Sequence, residues 1–199
     1  MNYQERIIAY IRAQADPPDK FSHQARLFEL AKKLAGDQRF DEDILFGVAW
    51  MHDLGVFVGH RPEDPVALSK WDNVAYAIEK TPAILSDLGF PSEKIPAVLE
   101  AIRTHLPSAT PIAFEAVLLR DADILEQLGS VGILRIVSKV GRDTRFVHFA
   151  DAIRALQRNV KELPPLLKLE SAQAEARARI RILEAFLEAA KSEAMGQQM

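Results

Sequence analysis

His52 and Asp53 stand side by side at the end of the apolar run Ile44-Leu45-Phe46-Gly47-Val48-Ala49-Trp50-Met51. An unpaired carboxylate in such surroundings costs several kcal/mol or is forced to protonate. A bound metal ion is one way to satisfy the pair, since it takes imidazole nitrogen and carboxylate oxygen together. The remaining histidines are His23, His60, His105 and His148. His23 shares a helix face with Arg26, three residues on; alone, it reads as a partly buried surface histidine. His105 ends the pattern Ile95, Val98, Leu99, Ile102 at the inner edge of an apolar face, where a satisfied core or capping histidine is the plain reading. His60 falls in a loop and reads as surface. Asp121-Ala122-Asp123 interrupts an otherwise apolar helix. Asp123 shares the face of Ala116 and Leu119, whereas Asp121 points about 160° away at about 100° per residue. An inward aspartate requires a cation: a metal, or an arginine such as Arg26 or Arg135.

Helical spacing of apolar residues recurs along the chain, and alternating strand patterns are nearly absent. A first helix is predicted over 2–15, closed by Asp16-Pro17-Pro18. The second runs over 20–35 to Gly36. The third opens on Asp41-Glu42-Asp43, acids favoured by the helix dipole, and runs to about Leu54. A polar loop with Pro62 and Pro65 follows, then helices over 70–88, 92–105 and 111–128, the last with Thr110-Pro111 as cap and first helical residue. Shorter helices span 130–141 and 146–162. After Pro164-Pro165, a long charged helix over 168–194 carries the stripe Ala178, Ile182, Ala185, Phe186 and Ala189, expected to pack on the body. No repeat or linker is visible. One all-α domain over 1–199 is expected, a helical bundle with its core at about 20–140 and helices 146–194 packed on it.

The 199 residues are 48% hydrophobic and 27% charged, ordinary composition for a globular protein with a sizeable core. A net charge of −3 argues against general nucleic-acid binding. The absence of cysteine excludes disulfides, thiolate metal sites and cysteine nucleophiles. No secretory signal and no membrane-spanning apolar stretch are present, so a cytoplasmic location with no membrane partner is expected.

The order His23-x-x-Arg26, His52-Asp53-Leu54-Gly55, Ala101-Ile102-Arg103-Thr104-His105, then Arg120-Asp121-Ala122-Asp123-Ile124-Leu125 followed by Gly129-Ser130-Val131-Gly132-Ile133-Leu134-Arg135, resembles the HD superfamily of metal-dependent phosphohydrolases. It is most similar to the small stand-alone bacterial HD proteins, over residues 20–140. The resemblance implies His23, His52, Asp53 and Asp123 as metal ligands, with Asp53 also holding or deprotonating the nucleophilic water. The ligand types suit Mn²⁺, Fe²⁺, Co²⁺, Ni²⁺ or Zn²⁺, with Mg²⁺ a further candidate. Such a metal would lower the pKa of a water and polarise a phosphoryl oxygen. Arg26, then Arg120 and Arg135, are candidates for binding phosphate.

The chain departs from its relatives in two places. His105 and Asn73 are the candidates for a second metal or for substrate contact, but asparagine is a weaker ligand than imidazole, so one metal is expected. Where nucleotide-hydrolysing members carry a glutamate after the pair, this chain has Val56 and Phe57. Glu63 and Asp64 are substitutes in reach of sequence, and Val56-Phe57-Val58 is a candidate pocket lining. The expected function is a metal-dependent phosphohydrolase acting on a small phosphorylated metabolite, a nucleotide foremost. The alternative is a non-catalytic HD-type module that senses a ligand or binds a partner, with the C-terminal helix serving a homodimer. Oxygen-dependent cleavage, known in the superfamily, is a third reading that calls for a fuller ligand set.

Overall fold

A computed structural model describes residues 1–197; Gln198 and Met199, the last two of the expected 1–199 domain, lie outside the described residues. Every regular element described is helical, and the sole β-type pairing among these residues is an isolated bridge between Val58 and Arg61. The expected all-α fold is what forms. The chain falls into two compact units, Met1–Arg120 and a second that begins at Asp121.

The first unit contains α1 (Tyr3–Gln14), α2 (Phe21–Ala35), α3 (Glu42–Met51), α4 (Pro65–Ser69), α5 (Asn73–Asp87) and α6 (Ile95–Arg103). Helix α3 is the hub, packed against α1, α2, α5 and α6. Its residues Leu45 through Met51 are all buried, which is why this run shows no polar face. The acids at its start act as capping groups: the Asp41 carboxylate accepts from the Asp43 and Ile44 amides at 3.0 and 3.2 Å. Lys94 Nζ ties both acids down, at 2.8 Å from Asp41 and 2.6 Å from Asp43. Helix α2 runs antiparallel to α3, with Phe21 against Trp50 and Phe28 against Phe46 at ring separations of 5.5 and 5.4 Å. Gly47 admits α6: a Cβ there would lie 2.8 Å from Val98 Cγ2. These two contacts bring α2 and the end of α6 to the C-terminal end of α3.

Helix α7 (Phe114–Glu126) contributes Arg120 to the end of the first unit and Asp121 to the start of the second. It begins three residues later than Thr110-Pro111 predicts, because Pro111 is buried as an anchor and the Ala113 carbonyl accepts the first helical bond, from Val117 at 3.0 Å. The loop with Pro62 and Pro65 holds the short α4, capped by Asp64, whose carboxylate accepts from the Ala67 amide at 2.8 Å.

In the second unit α8 (Gly129–Val137), α9 (Phe149–Glu162) and α10 (Glu170–Glu193) pack pairwise. The roll of α10 differs from the expected stripe. Of that stripe Phe186 is half-buried, Ala178, Ile182, Ala185 and Ala189 are exposed, and the buried face is Ala172, Ala176 and Leu183. Both phases carry apolar residues, so periodicity alone left the choice open. Asp121 decides it: its fully buried carboxylate accepts from the amides of Lys168 and Leu169, both at 2.8 Å, and anchors the start of α10. No helix among the described residues is long and apolar enough to cross a membrane.

Candidate metal centre

His23, His52 and Asp53 bring one ligand atom each to within 4.8 Å of one another. His23 comes from the first turn of α2, and His52 is the C-cap of α3, its amide still bonded to Val48 O at 3.0 Å. At Asp53 the backbone turns (φ −98°, ψ 12°) into a 3₁₀ turn over Leu54–Val56, in the sparsely used bridge region between helix and strand. The break in direction faces the Asp53 carboxylate back onto both rings. His23 Nε2 lies 3.7 Å from Asp53 Oδ2, and His52 Nε2 lies 3.7 Å from Asp53 Oδ1. Each carboxylate oxygen therefore meets one imidazole.

The protonation of His52 follows from its partner. Nδ1 lies 3.1 Å from the Ala49 carbonyl, which can only accept, so the proton sits on Nδ1 and Nε2 carries the lone pair. That Nε2 is buried and makes no hydrogen bond among the described residues. A buried acceptor without a donor is costly unless something else occupies it, and a divalent cation would. The donor set fits such an ion: two imidazole nitrogens and a carboxylate, with one ring already oriented by a backbone carbonyl as ligating histidines commonly are. His105 follows the same rule. Its Nδ1 faces Ile102 O at 2.6 Å, it is 3% exposed, and its ring lies 5.2 Å from that of His52, whose ring is in turn 5.5 Å from that of His23. Burial works against ionisation of Asp53; positive charge at His52 and His23, then at Lys20 and His105, outweighs it and holds the carboxyl well below the usual range, and a cation on the ring lone pairs would supply that charge in place of protons. Lys20, one turn before His23, carries no motif signal of its own and contributes through its charge.

The loop after the pair is fastened from three directions. A Cβ on Gly55 would meet the backbone of Asn73, at 2.6 Å from its oxygen, so α5 begins hard against the loop. Trp71 Nε1 donates to Gly55 O at 2.8 Å, and the Val58 amide to Asp16 O at 3.1 Å. His60 has both ring nitrogens engaged, by Tyr76 Oη at 3.0 Å and Gln14 Oε1 at 2.8 Å, so it clamps the loop to α1 and α5. Phe57 is fully buried and belongs to the core. Asp64 is occupied as the α4 cap, and Glu63 is exposed.

Arg26 is partly buried and donates to Ser22 Oγ at 2.8 Å. Arg120 is buried and donates to Pro107 O at 2.9 Å, steadying the chain that follows His105. Asp123 is in the second unit with its side chain 14% exposed; Arg135 lies 3.8 Å from its Oδ1, and Gln127 Nε2 donates to its Oδ2 at 3.4 Å. Arg135 also faces Glu126 at 3.7 Å. The arginine anticipated as one partner of Asp123 is thus beside it.

No sequence family and no curated protein matches the chain. Solved structures do. Bacillus subtilis YpgQ in complex with ADP is 18% identical, with a TM-score of 0.74 over 98% of this chain and 96% of that one. An HD-superfamily hydrolase from Bacillus thuringiensis is 22% identical, with a TM-score of 0.69 over 98% and 97%. A protein from an uncultured Thermotogales bacterium, described as a predicted HD-superfamily hydrolase, is 23% identical, with a TM-score of 0.65 over 96% and 93%. The chain has the HD-domain fold.

Proposed function

We propose that this protein is a metal-dependent phosphohydrolase acting on a small phosphorylated metabolite, with a nucleotide as the foremost substrate class. The observation that carries the proposal is the buried Nε2 of His52, without a hydrogen bond, beside a carboxylate whose two oxygens each face an imidazole. His23, His52 and Asp53 would hold the ion, and Asp123 is the further ligand that the HD pattern implies. A divalent metal supplies there a lowered water pKa and polarisation of a phosphoryl oxygen. The chain's own groups do the rest. The Nδ1–H bond to Ala49 locks the His52 ring, and Asp53 orients the attacking water. Arg26, on the turn after His23, meets the phosphate, with Arg120 and Arg135 the further candidates for that role. The ADP in the YpgQ complex supports the nucleotide class.

Purified protein assayed with Mn²⁺, Co²⁺, Ni²⁺ and Zn²⁺ against a nucleotide panel tests this reading. Turnover that survives Asp123→Ala, or that no metal supports, rejects it. A non-catalytic sensing module is the second reading, favoured by Phe57, which is core where a catalytic glutamate is expected in relatives. Protein that binds metal and nucleotide but turns nothing over is its signature.

A further inference from the structure

A cleft of about 180 Å³ opens in the second unit, far along the sequence from the histidine cluster, and is lined by Arg145, Phe146, Asp151, Arg154, Ala155 and Arg158. Its loop side is tied by backbone hydrogen bonds. The Gly141 amide donates to Phe146 O at 2.9 Å, the Phe146 amide to Asp143 O at 2.8 Å, and Phe146 is itself 8% exposed beneath Lys139 and Arg145. Arg145 meets Asp143 with two parallel bonds, Nε to Oδ1 at 3.1 Å and Nη2 to Oδ2 at 2.8 Å. On the helix side, Arg154 and Arg158 are four residues apart on α9, a spacing at which like charges repel.

The two acids nearby are already occupied. Asp143 is committed to Arg145. Asp151 accepts from the Val147 and His148 amides at 2.9 and 2.8 Å through one oxygen and from Arg154 through the other. Arg158 is exposed and makes no hydrogen bond or ion pair among the described residues. A guanidinium carries five N–H donors. Arg145 commits two to Asp143, Arg154 one to Asp151, and Arg158 none, so most of the donors around the cleft stay open. Guanidinium forks with spare donors match the tetrahedral oxygens of phosphate. The size narrows the class. A water takes about 30 Å³ in the liquid, so the cleft has room for a handful, whereas drug-sized ligands occupy pockets of roughly 300 Å³ and more.

We propose that this cleft is a phosphate-anion site, sized for orthophosphate or pyrophosphate and independent of the metal centre. The occupant is either the free anion or the phosphate tail of a larger molecule whose remainder stays outside.

Calorimetric titration of metal-free full-length protein with sodium pyrophosphate, in chelator at fixed ionic strength, tests it. Binding is expected to the parent and, at unchanged affinity, to Asp53→Asn, which disables only the histidine cluster. Arg158→Gln weakens it by roughly tenfold or more, the loss of a charge-assisted contact, and Arg154→Gln with Arg158→Gln abolishes it. Both positions are exposed, and unchanged circular dichroism confirms that the variants fold. No binding to the parent, equal binding to the double variant, or loss in Asp53→Asn overturns the proposal. Where the site stands, ADP that matches pyrophosphate assigns the nucleotide tail as the source, and ADP that binds far more weakly assigns the free anion.

Discussion

Gly55→Ala separates two opposing effects that the structure makes calculable. Gly55 lies in a 3₁₀ turn and is not among the glycines with positive φ, so alanine fits its backbone. On that ground alone the substitution would stabilise the protein by about 0.4–1 kcal/mol, through a less flexible unfolded chain. The packing opposes this. The new Cβ would lie 2.6 Å from Asn73 O, 2.8 Å from its Cα and 3.0 Å from its Cβ. Carbon contacts are comfortable from about 3.5 Å, so the loop or the first turn of α5 must move by close to 1 Å. Two of these neighbours are backbone atoms and cannot swing aside. Overpacking of this kind costs about 1–3 kcal/mol, leaving a net destabilisation of about 1–2 kcal/mol. For a chain of this length that lowers Tm by about 3–6 °C. Asp53 is two residues upstream on the same turn, so its carboxylate shifts against the imidazoles and metal affinity falls by about 10–100-fold. Thermal unfolding in chelator reads the first effect and Mn²⁺ titration reads the second. A variant at least as stable as the parent, with unchanged Mn²⁺ affinity, would show that Asn73 does not close on the loop as described.

Saturating Mn²⁺ at about 100 times its Kd stabilises the parent by about 2.7 kcal/mol, a rise of roughly 5–10 °C in Tm, and His52→Ala removes that rise while the chelated Tm is read separately. Asp121→Ala strands two backbone donors and costs about 2–3 kcal/mol in urea unfolding, whereas Asp123→Ala, exposed in part, spares stability and removes activity; equal losses from both would contradict their assigned roles. Burial resists ionisation of Asp143, but hydrogen bonds from Arg145 bring its pKa down to about 2. The folded value is below the ordinary one, so its stabilisation is present above pH 4 and is lost as pH falls towards 2. Urea midpoints of the parent and Asp143→Asn should accordingly diverge at pH 5–7 and converge near pH 2.

The helices were legible because apolar spacing and acidic or proline starts act locally. The all-buried α3 and its abrupt polar end at His52-Asp53 were legible for the same reason, and the histidine cluster formed where the order of residues pointed. What sequence could not supply came from contacts made at a distance. Asp121 reads as facing away from the core of α7, but a helix enclosed on opposite sides has no outward face. Its partners lie 47 and 48 residues on. The stripe on α10 was only partly met, at Phe186, because both phases of the helix carry apolar residues. His60 looked like a surface residue since its partners, Gln14 and Tyr76, come from helices on either side of it in the chain. Thr110-Pro111 carried a good local start signal that burial of the proline overrode.

The bond from Asp121 to the start of α10 also has a consequence in time. On the ribosome, the middle of α7 is made before the amides of Lys168 and Leu169 exist. At about 5–20 residues per second, the 48-residue interval lasts about 2–10 s. During that interval the growing chain holds a carboxylate that cannot yet be buried without loss, so the second unit closes only when its C-terminal helix has been synthesised. A chain that stops before residue 168 is therefore not a smaller version of this protein but one arrested at that stage.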